Sequence, residues 1–145
     1  MKNLFLLFSL SILLCCKNNT TQFDNAKNCV EVIMKKDDSL GSIRNHDSKN
    51  ISLSKTIDKY TLSVENLNFQ NCSKNFKTAF QNHLSAWKNM KQVTDNHPHL
   101  RGEMHALFDS IKKTNDSLAF SNKLDAIFNT WKEVEIAKEP FKVSE

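Results

Sequence analysis

Glycine and proline each occur only twice in the 145 residues of this chain. That scarcity removes most of the material for tight hairpins, bulges and phosphate-cradling loops, and it leaves long stretches in which helix is the least costly hydrogen-bonded state. It also argues against a serine nucleophile on a strained elbow beside a glycine-lined oxyanion hole. At this length one domain is expected, with a lean core, because the apolar N-terminal segment holds a disproportionate share of the 39% hydrophobic residues.

Apolar periodicity marks five helical segments. The first, residues 24–45, places Ala26, Cys29, Val32, Ile33, Leu40 and Ile43 on one face, interrupted by Lys36 and Gly41. The second, 52–68, has Ser52 as N-cap and Leu53, Ile57, Tyr60, Val64 and Leu67 at steps of four, three, four and three. A third, 73–94, opens on Ser73 and carries the heaviest apolar arc, with Phe76, Ala79, Phe80, Leu84, Trp87 and Met90. After "NHPHL", Pro98 suits a first helical turn, which predicts a fourth helix over 98–113 with Leu100, Met104, Leu107, Phe108 and Ile111 inward. The fifth, 117–138, presents Phe120, Leu124, Ile127, Phe128 and Trp131, and Pro140 ends it. With no strand alternation, the fold class expected is all-α: a compact antiparallel helical bundle of four to five helices over residues 25–140.

The N-terminus carries a different signal. Met1-Lys2-Asn3 precedes "LFLLFSLSILL" and Cys15-Cys16, a basic start followed by an apolar run too short to span a bilayer comfortably. Leu13-Leu14-Cys15-Cys16 resembles the lipobox of bacterial lipoproteins, with Leu three residues before the modified Cys and a small residue directly before it. Leu14 is bulkier than the usual Ala or Ser, and Cys15 stands where Gly or Ala is common. The resemblance implies a signal peptide over residues 1–15 and a diacylglyceryl lipid with an acylated amine on Cys16, Cys15 being the alternative site. Residues 16–24, polar and aperiodic through "KNNTTQFDN", read as a tether. Lys17 gives no acidic retention signal, so the resemblance leans to an outer membrane; the implied location is the cell envelope, on the non-cytoplasmic side.

Removing Cys15 and lipidating Cys16 leaves Cys29 and Cys72 in a compartment where disulfides persist, and one bridge between them is expected. It would clip the first helix to the turn before the third. Lys and Arg number 20 against 16 Asp and Glu, a net charge of +4 with signs interspersed, too mild to argue for nucleic acid and suited to solvated helix faces. Cleavage also removes Lys2, so the balance becomes still milder.

Few residues suggest chemistry. His83 falls inside the apolar arc of the third helix, where its ring needs a partner such as a backbone carbonyl, Tyr60 or Glu103; the other use is as a ligand or proton carrier in a pocket. His99 and Glu103 stand four apart, a spacing that on a helix puts two metal ligands on one face, with His97 joining from the loop and His105 pointing elsewhere. Arg101 and Glu103 suggest either a recognition patch or a surface ion pair. The adjacent acids Asp37 and Asp38 diverge on a helix and cannot flank a bond. Asp38-Ser39-Leu40, Asp109-Ser110-Ile111 and Asp116-Ser117-Leu118 resemble the acceptor motif of exported Bacteroidetes glycoproteins, Ser117 being the one expected to be accessible. Residues 50–138 resemble, in general pattern, small helical envelope lipoproteins of Bacteroidetes type, which implies no active site. The expectation is therefore a membrane-anchored envelope module without cofactor or enzymatic activity, binding a protein or an envelope polymer. The alternative is a small-ligand or metal binder using His83, or His97, His99 and Glu103.

Overall fold

The computed structural model describes residues 17–142; the leader, Cys15 and Cys16 lie outside the described residues. Five α-helices follow one another: α1 (Lys17–Asp47), α2 (Leu53–Glu65), α3 (Lys74–Thr94), α4 (Met104–Ile111) and α5 (Ser117–Lys138), closed by a 3₁₀ turn at Glu139–Phe141. No strand occurs among the described residues, and none of the described helices is long and apolar enough to cross a membrane.

Pairings between helices establish an up-down-up-down bundle. Asp37 and Asp47 of α1 meet Tyr60 and Lys59 of α2. Thr94, Lys91 and Lys88 of α3 meet Ser54, Asp58 and Glu65 of α2, and Phe80 of α3 lies against Trp131 of α5 while Asn96, just past α3, reaches Asp116 before α5. Each neighbour therefore runs antiparallel to the last. The core is aromatic and β-branched: Phe76, Phe80, Phe120, Ile57, Met90, Val64 and Val134 are fully enclosed.

The expected caps form. The Ser52 and Ser73 hydroxyls accept from Lys55 N and Phe76 N, satisfying first-turn donors of α2 and α3. Cys29 and Cys72 are joined (S–S 2.05 Å, Cα–Cα 5.1 Å), tying α1 to the turn before α3.

Three helix boundaries differ from the sequence expectation, the smallest being the end of α2 at Glu65 instead of 68, with Asn66 as C-cap. Helix α1 already includes Lys17, the first described residue, and so covers the stretch expected as an aperiodic tether. Nothing in that stretch breaks a helix, and Phe23 stacks on Phe141 with ring centroids 5.5 Å apart, which holds the first turns down. Helix α4 begins at Met104 instead of 98. Gly102 adopts φ 153°, a conformation that L side chains rarely adopt, and the Glu103 carboxylate accepts from His105 N and Ala106 N as the N-cap. The break is clasped to the end of α1: Gly102 N–H donates to the Ser48 carbonyl at 3.1 Å, and the buried Ser48 hydroxyl lies 2.9 Å from the Gly102 carbonyl.

The inward face of α1 also differs. Val32 and Ile43 are 49% and 52% exposed, while Val30, Ile33 and Asp37 are buried. Val30, Ile33, Asp37, Leu40 and Arg44 follow steps of three, four, three and four, so the seam toward the bundle keeps its period while its chemistry changes from apolar to charged. Phe128, expected inward on α5, is 55% exposed. Among the three acceptor-like serines, Ser39 and Ser110 are exposed and Ser117 is half-buried, the reverse of the expected order of access.

Candidate groove between α1 and α5

Where the seam turns charged, α1 stands off from α5 and a groove of about 430 Å³ opens between them. Asp37, Asp38, Gly41, Ser42, Arg44 and Asn45 of α1 form one wall, and Ile127, Phe128 and Trp131 of α5 form the other. Tyr60 of α2 with His83 and Trp87 of α3 make the floor. Gly41 and Ser42 are the smallest residues of that wall.

Arg44 is the groove's central group. Its guanidinium carbon lies 3.9 Å from the Trp87 ring centroid and 4.6 Å from that of Tyr60, a cation over two aromatic faces. Its Nε and Nη2 donate to the neighbouring Asn45 Oδ1 at 3.3 Å. No carboxylate lies within ion-pair distance of Arg44 among the described residues. Burial presses its pKa below the ordinary value, against the fields of Tyr60 and Asp37, which favour the charged form.

Asp37 and Asp38 diverge as expected: Asp37 is buried and Asp38 exposed. The Tyr60 hydroxyl donates to Asp37 Oδ1 at 2.6 Å. Burial raises the Asp37 pKa from its ordinary value, offset in part by that hydrogen bond and by Arg44. Burial first, then the Asp37 charge, pushes the Tyr60 phenol well up, so Tyr60 remains a donor.

His83 is buried, but its partners are neither Tyr60 nor Glu103. The Trp87 indole N–H donates to His83 Nε2 at 3.1 Å, and an indole can only donate, so Nε2 is unprotonated and the proton sits on Nδ1. Nδ1–H then donates to Thr130 Oγ1 at 3.1 Å, and the Thr130 hydroxyl donates back to the Ala126 carbonyl at 2.8 Å. This chain locks the Trp87 ring beneath Arg44 and ties α3 to α5. Burial, followed by the Arg44 charge, lowers the His83 pKa to about 4, in keeping with the neutral tautomer that the indole requires. Trp131 packs on the other side of the imidazole at 5.1 Å.

The other candidate set is dispersed. His97 Nε2 pairs with Asp116 Oδ2 at 3.0 Å, Glu103 caps α4, and His99 is exposed outside any helix. The four-residue spacing of His99 and Glu103 would converge only on a helix, and α4 begins after both. Among the described residues, no group of three or more His, Cys, Asp or Glu side chains is placed to hold a metal ion. The Arg101 guanidinium turns to the Pro98 and Leu100 carbonyls, each at 2.7 Å, and not to Glu103.

The sequence singled out His83, with Tyr60 as a neighbour and Trp87 on the same helical arc, but not Arg44 or Thr130 as part of its surroundings. The signal was present in the heptad step from Asp37 to Arg44, which continues the buried seam in charged residues. No protein-family model, curated protein or solved structure matches the chain.

Proposed function

We propose that this chain is a lipid-anchored module of a bacterial envelope whose groove between α1 and α5 binds an external ligand without turning it over. The lipobox-like Cys16 supplies the location. The observation that carries the binding role is Arg44, a half-buried cation stacked on Tyr60 and Trp87 in an open groove, with no carboxylate at ion-pair distance among the described residues. A charge held in this way costs desolvation that an apolar side chain would avoid, which points to a use other than stability.

Binding is favoured over catalysis by how the titratable groups are engaged. Both His83 nitrogens are committed, to Trp87 and Thr130, so the imidazole has no free lone pair for a general base. Asp37 is held by Tyr60. Placement also suits presentation away from a lipid: Gly41 lies 24 residues along α1 from Lys17, a rise of about 36 Å in a straight helix. The anchor is tested by Cys16→Ala, which should release the chain from the membrane or block its maturation; normal acyl labelling of that variant would sink the lipid assignment. For the groove, Arg44→Met should abolish ligand capture while the chain stays folded.

A further inference from the structure

Resting on the groove as a binding site, we infer that its ligand is an uncharged segment of a glycan chain, seated on Phe128 and Trp131 and hydrogen-bonded by Asp38, Ser42, Asn45 and Arg44. Three features of the walls carry this assignment.

The first is charge. One cation, Arg44, and two acids, Asp37 and Asp38, line the groove, and His83 is neutral by its hydrogen bonding. A polyanion would meet Asp38 at the exposed rim, and a cation would meet Arg44. Neither sign gains from the site as a whole.

The second is what the walls offer a polymer. Both are α-helices, whose backbone donors and acceptors are already paired within the helix, so an extended peptide would find no strand edge on which to satisfy its own backbone. An amphipathic helix needs an apolar trough, whereas Arg44, Asp37 and His83 sit in this one. A sugar ring has a different demand: an apolar C–H face to cover, and hydroxyls around its edge that both donate and accept.

The third is the match to that demand. Phe128 is 55% exposed and Trp131 half-buried, one turn of α5 or less apart, which offers aromatic surface to C–H faces. Across from them, Asp38 supplies an acceptor, Ser42 a donor and an acceptor, Asn45 its amide N–H donors, and Arg44 the guanidinium hydrogens not already given to Asn45 Oδ1, a mixture suited to vicinal hydroxyls. The groove lies open between two helices, so a chain can pass through without presenting an end.

The chain has two tryptophans, Trp87 and Trp131, and both line the groove, so intrinsic emission reports on its occupancy. The full-length chain, in a detergent without a sugar headgroup, is titrated to millimolar concentration with neutral hexasaccharides of glucose, mannose, xylose and N-acetylglucosamine. Galacturonate hexamer and a hexapeptide library are titrated in parallel. The expected result is a saturable emission change with at least one neutral oligosaccharide, insensitive to high salt, and weakened by about tenfold or more in Phe128→Ala. Phe128 is exposed, so circular dichroism should show that variant folded. A response to galacturonate alone would overturn the uncharged character assigned to the glycan, and a response to peptide alone would overturn the glycan itself; either would leave the groove as a binding site. Silence with all three classes would overturn both.

Discussion

Between Ala26 and Ile33, α1 meets the bundle through apolar side chains and a covalent bond to Cys72, whereas between Asp37 and Arg44 the same seam turns a carboxyl and a guanidinium inward. The spacing of inward residues hardly changes across that boundary. What changes is who faces them: the Cys29 half joins an apolar core whose phenylalanines include Phe76 and Phe80, and the Arg44 half faces Tyr60, Trp87 and the locked His83. Helical period determines which positions are inside, and side-chain chemistry determines whether being inside contributes stability or is kept for another purpose.

Breaking the apolar half should have the largest effect. Cys29→Ala with Cys72→Ala opens a loop whose ends are 43 residues apart, and the chain-entropy relation gives a loss of about 4 kcal/mol, read by urea unfolding. A loss below about 1 kcal/mol would mean that apolar packing alone holds that half.

The groove half should reveal itself through pH. His83 has a folded pKa of about 4 against an ordinary value of 6.5, so the unfolded chain binds the proton more readily. Stability from this residue is complete above about pH 6.5 and falls as pH drops toward 4, by roughly 3 kcal/mol in the limit. The raised pKa of Asp37 acts in the opposite direction, since the folded state takes up that proton first as pH falls. Comparing the parent chain with His83→Gln between pH 7 and 4 isolates the histidine; equal slopes would contradict the neutral tautomer.

A smaller loss is expected where the far end of α1 is clasped. Gly102→Ala forces a side chain into φ 153°, costing about 1–3 kcal/mol in thermal or urea unfolding. The space around that Cβ is adequate, with Leu107 Cδ2 at 3.7 Å, so the effect is one of backbone conformation.

The same contrast explains what the sequence disclosed. Helices α2, α3 and α5 were legible because their apolar stripes keep period and serine caps mark two of the starts. The inward face of α1 was misread at Val32, where Val30 and Ile33 hold the apolar seam instead, and at Ile43, where hydrophobicity was followed although the seam had become polar. Pro98 suggested a helix start that Gly102 and the Glu103 cap override, and with that helix went the convergence of His99 and Glu103. His83 stood out as a polar residue in an apolar arc, and its i+4 partner Trp87 follows from helical spacing, but Thr130, on another helix, depends on tertiary packing that no local spacing encodes.

Arg44→Met is the most direct test of the groove's purpose, because methionine keeps the length and apolar stem while removing the charge. Unfolding free energy and the emission response to a neutral oligosaccharide should be measured on the same protein. The account predicts stability within about 1 kcal/mol of the parent, or higher, with the response lost. A variant destabilised by several kcal/mol that still gives the full response would contradict it, showing that Arg44 holds the fold and does not serve the ligand.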